Sequence, residues 1–313
     1  MRKVLVTGAT GHIGTQLCRR LQKDGVEVHA VSRNVRPDER GGIRWWCADL
    51  RDVQATRDLL ASVQPEVIFH LAGCVTGGRG VEAVLPTLEH NLQATVNLLV
   101  ALTEIAYGRI VLAGSLEEPV DGASEVCSSP YAASKAAVRA YARMFHALYK
   151  TPVVNTRIFM VYGPGKQPVT RFVPHIISSL LAGEPPKLSS GKRKVDWIYI
   201  DDVIEGLLAC ARSQDALGGT FDLGSGSLTE LREVALQIAQ LMGSELGPAF
   251  GALPDRPMEQ ERVADARRTY EQLDWKPRTS LESGLRNTIA WFREHEPESQ
   301  SKDNSRQETS RFS

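Results

Sequence analysis

No stretch of this 313-residue chain approaches the roughly 18 consecutive apolar residues of a membrane-spanning helix. Nor does it read as having a secretory leader. Met1-Arg2-Lys3 is basic enough to begin one, but Val4-Leu5-Val6 gives way at once to Thr7-Gly8. An excess of one charge sign is also missing. The 37 basic and 37 acidic residues cancel, so composition gives no pull toward nucleic acid or a membrane surface. Cysteine is sparse and odd in number. Cys18, Cys47, Cys74, Cys127 and Cys210 include no C-x-x-C pair, which argues against a disulfide framework and against zinc; no metal is expected. What remains is an ordinary globular composition, 42% hydrophobic and 24% charged, and the expectation is a cytoplasmic protein.

Two kinds of segment alternate in the first half. Short β-branched runs occupy Lys3–Thr7, Val26–Val31, Val67–Leu71, Arg109–Ala113 and Val153–Phe159. Helical patterns lie between them: Ile13, Leu17 and Leu21 share one face before Gly25, and longer patterns cover Val81–Tyr107 and Tyr131–Lys150. Such alternation predicts an α/β fold, a doubly wound parallel sheet of the Rossmann kind covered on both faces. After Gly163 prolines interrupt the pattern. Strands are expected at Val195–Ile200 and Thr220–Leu223, and helices at Leu228–Met242 and Leu281–Arg293. The expected division is a dinucleotide-binding domain at 1–165 and a smaller mixed substrate-binding region at 166–293, part of which returns to the main sheet. Residues 294–313 are polar and aperiodic and read as a disordered tail.

The first strand runs into Gly8-Ala9-Thr10-Gly11-His12-Ile13-Gly14 and then a helix. Gly8 allows a tight turn, Gly11 lets backbone approach a pyrophosphate, and Gly14 lets the helix pack on the sheet. The helix N-terminus offers free N–H groups to the anion. Three glycines alone are weak grounds for this reading; on a strand–turn–helix that opens an alternating pattern they are strong. The end of the second strand selects the cofactor. An acid there would bind the ribose 2′-OH of NAD, but the chain reads Ser32-Arg33-Asn34. Ser32 and Arg33 can bond and neutralise a 2′-phosphate, so NADP is expected, with NAD as the alternative.

Tyr131 and Lys135 stand four apart where a helical pattern begins after Ser129-Pro130, which puts both on one helix face. An ammonium beside the phenol, with an oxidised nicotinamide, would draw its ionisation down toward working pH. Ser115, at the carboxyl end of the strand near 109–113, stands where ligands meet an open parallel sheet, and its hydroxyl could hold the oxygen that Tyr131 protonates. Alone, Y-x-x-x-K is common and fits a packed tyrosine with a solvated lysine. Joined to the glycine loop and Ser115 it reads as a proton-handling group.

These segments resemble the extended short-chain dehydrogenase/reductase superfamily. The likeness runs through T-G-A-T-G-H-I-G, Asp49-Leu50, His70-Leu71-Ala72-Gly73, Ser115 and Tyr131-Ala132-Ala133-Ser134-Lys135. It continues in Arg157 to Pro164, Asp196 to Val203 and Leu273-Asp274-Trp275-Lys276-Pro277, and covers roughly residues 2–293. The resemblance implies a usually dimeric NAD(P)-dependent enzyme, here through the helices near Val81–Tyr107 and Tyr131–Lys150, acting on a nucleotide-sugar. It implies Tyr131 as acid/base, Lys135 on the ribose, and Ser115 as oxyanion partner. Asp49 and Leu50 would meet the adenine. Leu71, Ala72 and Gly73 would line the cofactor, Phe159 and Val161 would cover the nicotinamide, and Asn91 would be structural. Cys74, Thr76, Glu117, Met160, Arg193 and Arg256 are the substrate-side candidates.

The loop Gly114-Ser115-Leu116-Glu117-Glu118-Pro119 narrows the reaction. In the 4,6-dehydratases resembled here an acidic or hydroxyl residue follows the Thr and protonates C6, and the next glutamate takes the C5 proton. Leu116 transfers no proton, which weakens dehydration, though Glu117 stands at the glutamate's position and stays a catalytic candidate. The same stretch, with Ser32-Arg33-Asn34, looks like GDP-4-keto-6-deoxymannose reductases. The expectation is therefore NADPH-dependent 4-ketoreduction of a 4-keto-6-deoxy nucleotide sugar. The alternatives are 4-epimerisation or 4,6-dehydration with retained cofactor, or a non-catalytic NADP-binding sensor. Two departures bear on the substrate: Met160 stands where many relatives have Asn, and Val195 where many have the diphosphate-binding Arg, leaving Arg193, Lys194 or Arg256 as substitutes.

Overall fold

Strand β1 (Lys3–Thr7) shows how the core is divided. Side chains alternate across a strand. Val4 and Val6 therefore join the cluster holding Leu17, Leu21, Val203 and Leu207, while Leu5 joins Leu59, Leu98 and Phe145 on the other side. Leu17 and Leu21 are fully excluded from solvent, and each such burial contributes roughly 2 kcal/mol. The computed structural model describes all residues except 39–41, 106–107, 120–125 and 296–313.

The main sheet has seven strands in the order β3-β2-β1-β4-β5-β6-β9, all parallel. They are β2 (Glu27–Ser32), β3 (Ile43–Cys47), β4 (Val67–His70), β5 (Arg109–Ser115), β6 (Val153–Ile158) and β9 (Thr220–Leu223). Helices α1 (His12–Lys23) and α7 (Ile200–Arg212) cover one face. The other is covered by α2 (Val53–Val63), α4 (Ala94–Leu102) and α5 (Pro130–Tyr149). Local chemistry sets the helix ends. Asp52 caps α2 by accepting from the Gln54 and Ala55 amides, and Ser129 caps α5 with Pro130 in the first turn.

A second sheet, β10-β8-β7, lies beyond the carboxyl ends of the main strands. Its β7 (Met160–Tyr162) runs parallel to β8 (Lys194–Tyr199), and β10 (Leu228–Glu230) antiparallel to β8. Tyr162, Trp197 and Tyr199 pack there with α6 (Phe172–Leu181), α8 (Leu231–Met242) and α10 (Leu281–His295). Asp196, 1% exposed, ties this region together. It accepts from the amides of Ser225, Gly226 and Ala264 and from the Ser225 hydroxyl.

Several elements differ from the sequence expectation. The predicted helix over 81–107 is broken into a 3₁₀ turn at Val81–Ala83, α3 (Val84–Thr87), a π-helical segment at Leu88–Gln93 and α4; Tyr107 lies outside the described residues. The pattern over Leu228–Met242 divides, because Leu228–Glu230 pairs with β8 before the helix starts. Strand β3 was not anticipated: Ile-Arg-Trp-Trp-Cys has only one β-branched residue and an exposed edge. Helices α2, α6, α7 and α9 (Ala266–Leu273) are additional. The expected tail falls largely outside the described residues, and Glu294 and His295 belong to α10 or its end.

Candidate active site

The glycine loop closes on itself. The Gly11 amide donates to the Gly8 carbonyl at 3.0 Å, and Gly8 has φ +66°. A Cβ on Gly8 would stand 2.6 Å from the backbone of Leu71 and Ala72, so this glycine lets the loop after β4 pass directly beneath the nucleotide loop. A Cβ on Gly14 would meet the Gly8 carbonyl and the Ala9 backbone. Gly11 caps α1 with no side-chain hydrogen bond, and the first turn carries no acid. The helix end thus keeps its amides and its positive dipole end for an anion, and the bare glycine cradle fits a dinucleotide pyrophosphate. Thr10 is exposed beside it, and Ile13 is half-buried against both cores. His12 donates from Nε2 to the Pro164 carbonyl at 2.9 Å, while its buried Nδ1 has no hydrogen-bond partner among the described residues. Burial, opposed by that bond and reinforced by Arg171, pushes its pKa down to about 4, so the ring is neutral.

The 71–74 loop is held from both sides. His70 is buried between Thr7 and Thr95. Thr95 gives its own proton to the Asn91 carbonyl, so it accepts from His70 Nε2, and Nδ1 accepts from Thr7; the tautomer is set. Thr7 in turn accepts the Ala72 amide. Asn91, on the π-helical segment, accepts the Cys74 amide at 2.6 Å and donates to the Cys74 carbonyl and to Ser134 on α5. The wider π turn aims this amide at the loop, a common use of such segments. Gly73 leaves room for it, and Thr76 turns the chain by accepting the Gly78 amide.

At the adenine end, Ser32 accepts the Asn34 amide and Arg33 is exposed. Asp49 is gripped by the Arg51 guanidinium at 2.6 Å, which holds its carboxyl down at about 2. Leu50 is buried beside it.

Ser115 ends β5 and Tyr131 lies in the first turn of α5, and the Ser115 hydroxyl is near enough to act on the phenol. The Ser115 hydroxyl also accepts the Glu117 amide at 3.2 Å. Lys135 is buried, donates to the Ala113 carbonyl at 2.7 Å, and stands 5.9 Å from the Tyr131 ring centre. Burial brings Lys135 down to about 8, with Glu118 opposing. Burial pushes the Tyr131 phenol up to about 12, the Ser115 hydroxyl opposes this, and Glu117 and Glu118 add to it. The phenol is therefore held protonated, the form that donates to a carbonyl.

Glu117 accepts from the Ser129 hydroxyl at 3.3 Å. Leu116 is only 6% exposed and belongs to the core. Phe159 is buried, Met160 and Val161 half-buried, where β6 passes into β7. Of the expected diphosphate ligands, Arg193 is committed to Glu259 at 3.0 Å and to the Gln260 carbonyl. Arg256 lies over Gly77; both arginines line a cleft with Ser190, Lys192 and Asp255. Val195 is buried. Sequence reasoning missed two residues. Arg171, at the N-terminus of α6, is half-buried, has no carboxylate within ion-pair distance among the described residues, and acts electrostatically on both Tyr131 and His12. Glu118 was read as part of a loop, yet it is fully buried; the glycine before Ser115 was the available signal.

A model described as the NAD dependent epimerase/dehydratase family matches residues 4–224. The UDP-glucose 4-epimerase of Mycolicibacterium smegmatis is 31% identical over 93% of this chain and 98% of its own length. A probable dTDP-glucose 4,6-dehydratase of Sinorhizobium fredii is 28% identical, covering 94% of this chain and 93% of its own. The solved Thermus thermophilus UDP-glucose 4-epimerase complex with NAD superposes with a TM-score of 0.82 at 28% identity, over 94% of this chain and 99% of that one.

Proposed function

This chain belongs to the NAD-dependent epimerase/dehydratase family, as an enzyme of the extended short-chain dehydrogenase/reductase type, and from that premise we propose that it is a nucleotide-sugar 4-epimerase. The loop after β5 carries the reading. Ser115, Tyr131 and Lys135 are buried together where β5 ends and α5 begins, while the next position, Leu116, is core hydrocarbon. The first pair suffices to take a proton from a C4 hydroxyl and return it to the 4-keto oxygen. Dehydration needs, besides, an acid to expel the C6 oxygen, and Leu116 has no proton to give.

When bound, an oxidised dinucleotide supplies a hydride acceptor for C4 and a positive charge beside the phenol. With that positive charge beside it the Tyr131 phenol would ionise, take the hydroxyl proton in the oxidising half and give it back in the reducing half. Ser115 donates to the same oxygen and is oriented by the Glu117 amide. Lys135 holds ammonium near the cleft, and its tie to Ala113 keeps it there. With Arg193 engaged by Glu259, Arg171 and Arg256 are the cations left to meet the sugar diphosphate. Exposed Val81, Leu85 and Leu88 before α4, with Leu148 and Tyr149 on α5, support a homodimer through these helices.

A second reading, NADPH-dependent 4-ketoreduction of a 4-keto-6-deoxy sugar, is favoured by one observation. No acid stands at the end of β2 to bind a ribose 2′-OH, and Arg33 is exposed there. Incubation with UDP-glucose and UDP-galactose separates the two. Redox-neutral interconversion with dinucleotide retained through gel filtration supports epimerisation; stoichiometric NADPH consumption on a 4-keto sugar supports reduction. The Tyr131→Phe variant should lose about 10²–10⁴-fold in turnover while still binding dinucleotide. Unchanged turnover would remove Tyr131 from the chemistry.

A further inference from the structure

We propose that Glu118 is a positioning residue: its buried side chain closes the Ser115 turn and sets a carboxylate against the Tyr131–Lys135–Arg139 stripe of α5. This inference rests on the reading that Tyr131 and Lys135 handle the proton.

The side chain is 1% exposed. Its Oε1 accepts the Ser115 amide at 2.8 Å, and its own amide donates to the Ser115 carbonyl at 3.2 Å, so the turn carrying Ser115 is closed twice by one residue. Gly114 makes this possible, because a Cβ there would overlap Oε1 and the Thr156 carbonyl. On the other side, Arg139 Nε lies 3.1 Å from Oε2, within ion-pair range though off the hydrogen-bond direction. Tyr131, Lys135 and Arg139 follow one another at intervals of four along α5 and form one stripe. Glu118 thus joins the end of β5 to the stripe that bears the proton-handling groups. Arg262 donates to the Glu118 carbonyl at 3.0 Å and anchors the turn from a third direction.

A neutral amide would close the same turn, so the charge needs its own account. Burying a carboxylate is costly unless cations compensate it. The groups facing Glu118 are Arg139 and Lys135 from α5, Arg157 from β6 and Arg262 from the segment before α9. Burial raises the Glu118 pKa, and the Ser115 amide, Arg139, Lys135 and Arg157 oppose that. Reciprocally, Glu118 is the group that holds Lys135 up against burial. Without the carboxylate, Lys135 sheds its proton at lower pH.

The test titrates Lys135 directly in full-length protein labelled with ¹³C at lysine Cε. In wild type one resonance should titrate near pH 8 and vanish in Lys135→Met. In Glu118→Gln, which keeps an acceptor for the Ser115 amide, that titration should move down by roughly half a unit or more. In Glu118→Asp, which keeps the charge, it should stay within about 0.2 unit of wild type. A merely structural Glu118 would alter stability and leave the titration in place. An unmoved midpoint in Glu118→Gln overturns the proposal. So does an Asp variant shifted as far as the Gln variant is expected to be, a comparison that stands even where Glu118→Gln does not fold. Turnover of Tyr131→Phe separates the two levels: if Tyr131→Phe stays active the site reading fails, and if it is inactive while the lysine titration is unmoved only Glu118's role fails.

Discussion

Replacing Gly14 by alanine should push the nucleotide loop out of place and weaken dinucleotide binding. An added Cβ would lie 2.8 Å from Ala9 Cα and from the Gly8 carbonyl carbon, and closer still to the Gly8 oxygen. Ordinary contact begins at 3.4 Å, so the loop must retreat by at least about 0.6 Å. Gly8 has nowhere to go, since Leu71 and Ala72 already occupy the space on its other side. The strain of overpacking costs about 1–3 kcal/mol. Losing the Gly11-to-Gly8 bond costs about 1 kcal/mol more, and alanine's better helix propensity returns about 1 kcal/mol. The net is a destabilisation of about 2 kcal/mol, or a melting point lower by about 3 °C for a chain of this size. The displaced amides should also weaken dinucleotide binding at least about tenfold, equivalent to about 1.4 kcal/mol. Thermal denaturation and fluorescence titration with NADH read the two effects. Gly25→Ala is the control: Gly25 has φ +74° with nothing near its missing Cβ, so it should cost about 1 kcal/mol of strain and leave affinity alone. If Gly14→Ala bound NADH as tightly as wild type, the pyrophosphate reading of this loop would be refuted.

Arg171→Gln should weaken binding of UDP-glucose about tenfold or more by calorimetry and leave NADH affinity unchanged; equal loss of both would place this guanidinium on the dinucleotide instead. Asp196→Ala strips the acceptor from three backbone amides and one hydroxyl, and should cost about 3–5 kcal/mol in urea unfolding, with the second sheet's aromatic signal lost first. His70 gives a pH dependence. Burial, with Lys135 adding, lowers its folded pKa to about 3 from 6.5. Unfolding therefore takes up a proton between those values. The stability held by the neutral ring is fully present above pH 6.5 and is lost, at about 1.4 kcal/mol per pH unit, as pH falls toward 3. Unfolding free energies measured from pH 4 to 7 should show a slope shallower by up to that amount in His70→Gln, and an unchanged slope would mean that the ring is not buried neutral.

Local chemistry determined a good deal of this protein. Period-2 and period-3.6 patterns, the glycine loop and the Ser129-Pro130 cap were legible because each depends on residues within one turn or strand. So was the four-residue spacing that puts Tyr131 and Lys135 on one face. What sequence reading lost were elements whose stability comes from partners far along the chain. Strand β3 is an edge strand stabilised by pairing with β2, and Leu228–Glu230 is a strand only because β8 lies beside it. The break in the helix around Asn91 answers to the loop after β4, not to its own residues.

The same division holds in the site. Leu116 was informative at once, because a hydrocarbon cannot transfer a proton in any fold. The state of Tyr131 was not, because burial, with Glu117 and Glu118 adding to it, outweighs Ser115 and Arg171, and all of these reach it from outside its own helix. Which arginine has no carboxylate within ion-pair distance among the described residues was equally hidden. Arg193 and Arg171 look alike in the sequence, and only the folded chain brings Glu259 to the first and leaves the second facing Tyr131 and His12. Residue type and spacing determine which groups can do chemistry; burial and the neighbours supplied by distant segments decide which protonation state and which partner each of them has.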